Sequence, residues 1–176
     1  MEKIEVRYKY TNVQSAEGRK WYHKYIIYTD YTGKEYYARG GSTLIEDETD
    51  ITLLSPMGLI VTEYGEYTEG SVDWDYEDDD PRETIREASD LSSEWQDIKD
   101  AMDAINDLNL PYWPGRNSNS SVDTSLDNAD LPQPELDGKG ENESPGSGNI
   151  LPINDPPQQI EPALPSKKPI SPGAAR

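Results

Sequence analysis

Not one cysteine occurs in the 176 residues. That excludes disulfides, thiolate zinc sites and cysteine nucleophiles, and it leaves the compartment open, because many secreted proteins also lack cysteine. Histidine is nearly as scarce: His23 is the single copy, so any imidazole chemistry has one address. No run approaches the roughly 18 apolar residues that a membrane span needs. The opening MEKIEVRYKY has no apolar h-region, so no ordinary signal peptide is expected and the cytoplasm is the expected compartment. A non-classical export route would leave no mark there. Basic residues are also few, with 16 Lys and Arg against 35 Asp and Glu and a formal net charge of −19. That field repels phosphate backbones and anionic lipid, so nucleic acid and membrane partners are not expected. An unknown protein or a neutral small molecule is the expected partner.

Apolar residues are scarce too, at 33% of the chain, and the shortage is uneven. Ten of the 14 prolines lie at or after Pro132, and no aromatic residue occurs from Pro132 to Arg176. Such a segment cannot bury enough apolar surface to offset the entropy of ordering it. The expectation is an acidic domain over residues 1–131 and a Pro-rich disordered tail over residues 132–176. The tail's six acids and four bases carry −2 of the charge, which leaves about −17 on the domain.

Within residues 1–131 the patterning is that of an α+β domain. Ile4, Val6, Tyr8 and Tyr10 alternate with Glu5, Arg7 and Lys9, which is the period of a half-buried strand. Residues 21–29 form a second strand, and Thr32-Gly33 turns it into a hairpin with the run that ends in Arg39-Gly40-Gly41. Residues 51–54 and 57–64 read as two further short strands with Pro56 between them. Pro81 suits a first helical position. Behind it Ile85, Ala88, Leu91, Trp95, Ile98, Ala101, Ile105 and Leu108 recur every three or four residues, which predicts a long amphipathic helix. That helix is expected to be interrupted near Ser92 and restarted by a Ser93/Gln96 capping box. Asn117 or Ser118 caps a short helix carrying Val122, Leu126 and Ala129, which ends near Pro132, with Asp130 where a helix-ending glycine is usual. Strands first and helices later predict a small antiparallel sheet packed against one long and one short helix.

His23 has the side chain that titrates near neutral pH, which suits a general base. The plain alternative is a strand histidine between Tyr22 and Tyr25. If Thr32-Gly33 closes the hairpin, position 23 falls near position 41 or 42, beside Arg39, Gly40 and Gly41. Glycines there permit a close approach by backbone or ligand. Asn117, Ser118, Asn119 and Ser120 open a helix, where unpaired N–H groups can be capped or can bind an oxyanion. A serine needs a base at hydrogen-bond distance to act as a nucleophile. Asp73, Asp75, Glu77 and Asp79 alternate as in a hard-cation site, but position 78 is Asp and position 84 is Thr where the calcium loop needs Gly and Glu. Neither a metal nor a cofactor is expected.

The order of these motifs resembles a group of uncharacterised bacterial domains. Tyr22-His23, Tyr28-Thr29-Asp30, Gly33-Lys34-Glu35 and Arg39-Gly40-Gly41 come first, with Pro111-Tyr112 and Asn117-Ser118-Asn119-Ser120 far downstream. The same order is similar to circularly permuted papain-like domains of the lecithin:retinol acyltransferase and NlpC/P60-like groups. There a strand histidine precedes an Asn-Cys at a helix N-terminus. The resemblance implies a permuted papain-like scaffold with His23 at the position of that histidine and Ser118 at that of the cysteine nucleophile. It also implies that His23 and Ser118 are neighbours, with side chains within about 8 Å, although proton transfer needs roughly 3 Å. A thiolate forms readily beside a histidine and a helix N-terminus, and an alkoxide does not. The expected function is therefore binding or interaction on this scaffold without catalysis. One alternative is a serine-dependent amide or ester hydrolase or acyl transferase with Ser118 as nucleophile, His23 as base and N–H groups near Asn119 and Ser120 as oxyanion donors. Glu35 and Tyr37 are the guesses for a group that orients His23. Another alternative is an acidic inhibitor or mimic that blocks a basic partner site.

Overall fold

A computed structural model describes residues 1–14, 18–43, 58–74, 80–134 and 142–154. The strand expected at 51–54, Pro56, and three of the alternating acids, Asp75, Glu77 and Asp79, lie outside these residues. Five strands make an antiparallel sheet: β1 (Glu2–Gln14), β2 (Lys20–Thr29), β3 (Glu35–Ser42), β4 (Ile60–Glu66) and β5 (Arg82–Ala88), in the spatial order β4-β3-β2-β1-β5. Two helices follow, α1 (Ser92–Asp107) and α2 (Ser118–Asn128), and then a two-residue strand, β6 (Asn142–Glu143), that pairs parallel with β2. The α+β class and the pairing of a longer with a shorter helix match the sequence expectation. No helix among the described residues is long and apolar enough to cross a membrane.

Strand alternation decides which side of the sheet meets the helices. Ile4, Val6 and Tyr8 of β1 join Tyr22, Ile26 and Tyr28 of β2 and Ala38 of β3 in the main core, with Trp95, Ile98 and Met102 of α1 and Val122 and Leu126 of α2. The opposite face is smaller. It buries Tyr25 and Ile27 beneath Tyr67, with Arg7 in ionic contact with Glu5 and Glu35. Glu35, one guess for a group beside His23, is thus spent on Arg7, and Tyr37, the other, packs its ring near that of Tyr67.

The helix expected from Pro81 begins eleven residues later, at Ser92, because residues 82–88 form β5. Ile85 and Ala88 stand three apart, which reads as helical spacing. A register shift between Ile4 and Glu5 in the β1–β5 ladder gives the same result in a strand. Arg86 pairs with Ile4 and Thr84 with Glu5, so Ile85 is the extra residue of a bulge, and both Ile85 and Ala88 pack on the core. The predicted Ser93/Gln96 box is also replaced. Helix α1 starts at Ser92 after Leu91, without a side-chain cap on Leu91, and the Asp90 carboxylate accepts from the Ser92 N–H and hydroxyl.

The boundary expected at residue 131 also shifts. Residues 142–154 pack on the domain as a strap: β6 extends the sheet beside Lys20 and Trp21, and Leu151 is buried with Ile60 and Ile105. Apolar content is low there, and the strap is held mainly by backbone atoms that hydrogen-bond to α2. Residues 135–141 and 155–176 lie outside the described residues.

Candidate active site

Helix α2 is buried from Ser118 to Leu126, yet only Val122 and Leu126 among those nine residues are aliphatic. Each buried polar group needs a partner, and the surroundings of α2 supply them. The Asn119 side chain accepts the Lys24 N–H and donates to the carbonyls of Tyr22 and Pro145. Ser120 donates its hydroxyl to the Gly146 carbonyl. Asp123 pairs with the buried Lys24 ammonium and also accepts the Gly148 N–H. Thr124 accepts from the Leu151 N–H. The helix is thus clamped between β2 and the strap.

These bonds fix the start of α2. Asn117 is the N-cap. Its side chain accepts the N–H groups of Asn119 and Ser120, and the Ser120 hydroxyl accepts the Asn117 N–H. This reciprocal capping box makes Ser118 the first helical residue. Its own N–H has no hydrogen-bond partner among the described residues. The Asn117 amide donates to Pro114 and Pro145, locking the cap to the preceding loop and to the strap. Gly146 lies against this amide: a Cβ there would come within 2.6 Å of Asn117 Oδ1.

The glycine pair on β3 divides in role. A Cβ on Gly40 would fall 2.8 Å from Ser121 Oγ and 2.9 Å from the Ser118 backbone, so only glycine lets β3 approach the start of α2 this closely. Gly41 has no such neighbour; its virtual Cβ meets only the Arg39 guanidinium at ordinary contact distance. Arg39 leaves the sheet in two directions, toward Glu63 at 3.1 Å and Asp73 at 2.9 Å.

His23 and Ser118 meet. His23 Nδ1 lies 2.9 Å from Ser118 Oγ. On the β2 alternation His23 shares a face with Tyr25, and the two rings stack. The paired residues of β2 and β3 end at Tyr25 and Arg39. Past that point the ladder no longer separates the two sides, and the His23 ring reaches both the 67–74 segment and the start of α2. Continued past Tyr25 and Arg39, the same register would set position 41 across from 23, but the two strands are not paired there.

The other ring nitrogen faces a residue the sequence reading did not assign to the site. His23 Nε2 is 3.5 Å from Asp73 Oδ2. Asp73 is nearly buried and sits in the left-handed region at φ 75°, held by Tyr67, whose hydroxyl donates to the Asp73 carbonyl. Burial pushes its carboxyl up, but the His23 ring, then Arg39 and Lys9, hold it net below the ordinary value of 3.8. Asp73 is therefore an anion at neutral pH. Neither His23 Nε2, Arg39 Nε nor Asp73 Oδ2 makes an aligned hydrogen bond, so Asp73 lies close to the Arg39 guanidinium and the His23 ring without a directed bond to either. Nothing local singled out Asp73 from the six acids of residues 73–80. The one hint is that aspartate tolerates positive φ better than most residues.

Chemically, this arrangement can move a proton. If Ser118 donates to Nδ1, the ring proton sits on Nε2 and faces the Asp73 carboxylate, which can hold the ring in that orientation. Tyr112 places its hydroxyl 3.4 Å from the same serine oxygen. The Asn119 and Ser120 N–H groups, expected as oxyanion donors, are instead occupied by Asn117. Among the described residues no group of three His, Cys, Asp or Glu could hold a metal. No family model matches this chain, and neither a curated protein nor a solved structure is significantly similar to it.

Proposed function

We propose that the domain is a serine-dependent hydrolase or acyl transferase acting on an amide or ester, with Ser118 as nucleophile, His23 as base and Asp73 as the group that orients His23. The observation that carries this reading is a single imidazole bonded to a helix-start serine on one nitrogen, at 2.9 Å, and facing a buried carboxylate on the other. A satisfied structural histidine needs no anion behind it, and a serine in the first turn of a helix needs no imidazole. A serine becomes nucleophilic through such a base. The motif order similar to permuted papain-like domains agrees with the same assignment of His23 and Ser118. The strong negative field favours substrates without anionic groups next to the scissile bond.

A second reading, binding on the same scaffold without catalysis, draws on a specific observation: Asn117 occupies the N–H groups that would serve as oxyanion donors. One experiment separates the two. A fluorophosphonate probe is expected to add once, on Ser118, and not to add in His23→Ala. A folded wild-type protein that takes up no probe leaves the binding reading.

A further inference from the structure

The proposed reaction needs donors for the negative charge that develops on the substrate's carbonyl oxygen, worth about a hundredfold or more in rate for each donor. With the Asn119 and Ser120 N–H groups held by the cap, the unoccupied N–H at this helix start is that of Ser118. The next donor within reach is the Tyr112 hydroxyl, 3.4 Å from Ser118 Oγ. Its ring is not free to drift. The Tyr112 N–H donates to the Gly58 carbonyl, Pro111 bridges Leu59, and the ring packs against the cluster of Ile60, Ile105 and Leu151. The hydroxyl is therefore the wet end of an anchored side chain, aimed at the serine oxygen.

We infer that Tyr112 is a catalytic residue of the proposed site, the second oxyanion donor beside the Ser118 N–H. This rests on the nucleophile assignment above. As Ser118 Oγ bonds to the carbonyl carbon, its proton passes to His23 Nδ1. The carbonyl π pair moves onto oxygen, where the Tyr112 O–H and Ser118 N–H donate to it. Collapse restores the carbonyl and breaks the bond to the leaving group, which takes the proton from His23. Water then repeats the sequence on the acyl-serine, or an acceptor nucleophile does so in a transferase. The sequence pair Pro111-Tyr112 thus gains a role that the motif order alone did not give it.

The test is the second-order rate at which a fluorophosphonate labels Ser118 in the full chain, since the probe's phosphoryl oxygen occupies the oxyanion position. Tyr112→Phe keeps the packed ring and removes the donor. Its labelling is expected to fall about a hundredfold with the melting temperature held. Replacing Tyr112 by 3-fluorotyrosine keeps the hydroxyl and is expected to restore labelling to within a few-fold of wild type, which a merely structural role of the ring would not distinguish from Tyr112→Phe. If wild type labels and Tyr112→Phe labels equally fast, the tyrosine assignment is overturned while the nucleophile stands. If wild type does not label at all, both fall together. If Tyr112→Phe unfolds, the 3-fluorotyrosine protein decides: a folded protein with labelling lost despite its hydroxyl contradicts the donor role.

Discussion

Helix α1 turns one apolar stripe to the sheet, Trp95, Ile98, Ala101, Met102 and Ile105, and leaves its other side to water, whereas α2 is buried from Ser118 to Leu126 with seven polar residues among those nine. The first is positioned by removing apolar surface from water, a non-directional force that tolerates small shifts. The second is positioned bond by bond. Each buried polar group of α2 costs little while its partner is present and much once the partner is gone. A helix built that way has few places to slide to, which suits a serine that must sit at 2.9 Å from a histidine. The proposed site lies at the start of the helix that apolar burial alone would not hold.

The largest effect should come from removing the strap. A chain ending at residue 134 loses the bonds from Asn117, Asn119, Ser120, Asp123 and Thr124 to residues 145–151 and the burial of Leu151. At roughly 1 kcal/mol for each net hydrogen bond and about 2 kcal/mol for Leu151, chemical denaturation should show a loss of several kcal/mol. An unchanged midpoint would mean that α2 finds its partners in water equally well. Next comes a matched pair of substitutions, one in each helix. Asp123→Ala leaves the buried Lys24 ammonium without its carboxylate and should cost about 3–5 kcal/mol. Ile98→Ala empties a fully buried site on α1 and should cost about 2–5 kcal/mol. The contrast sharpens in a second round: Ile98→Leu should recover most of the loss through repacking, while Asp123→Asn should not, because it restores the shape but not the charge.

The same contrast explains what could be read in advance. Helix α1 from Trp95 onward was legible because Trp95, Ile98, Ala101 and Ile105 repeat at helical spacing. The β1, β2 and β3 strands were legible through alternation and the Thr32-Gly33 turn. The cap of α2 was legible at Asn117 because asparagine there has a local job. Partners contributed from far along the chain were not. Pro145, Gly146 and Gly148 act through backbone atoms, which look the same in every sequence, so the strap carried the composition of a tail. Asp73 acts from a loop at positive φ, inside an acidic run in which no residue stands out. In β5 a bulge at Ile85 produced helical spacing in a strand, and periodicity alone cannot separate the two. The juxtaposition of His23 with Ser118 came from hairpin register and motif order, and the carboxylate behind His23 did not come from either.

The smallest effect concerns the far end of α2. Asp130 is left-handed, at φ 52°, and the Leu131 N–H returns to the Leu126 carbonyl while the Asp130 N–H bonds to Asp127, which is a Schellman ending. Asp130→Gly removes the strain of a Cβ in that region and should stabilise the fold by about 0.5–1 kcal/mol. No gain in thermal unfolding would show that the acid makes a compensating contact there.

The roles proposed for Ser118, His23 and Asp73 are most directly tested by the tautomer of His23, and a single histidine in the chain makes its signals unambiguous. Long-range nitrogen–proton NMR correlation on labelled full-length protein, at a pH where the ring is neutral, reads which nitrogen carries the proton. The account predicts a bare Nδ1, accepting from Ser118, and a protonated Nε2 facing Asp73, with the preference weakened in Asp73→Asn. A neutral ring protonated on Nδ1 would place a donor against the serine, leave Ser118 without a base, and contradict the account.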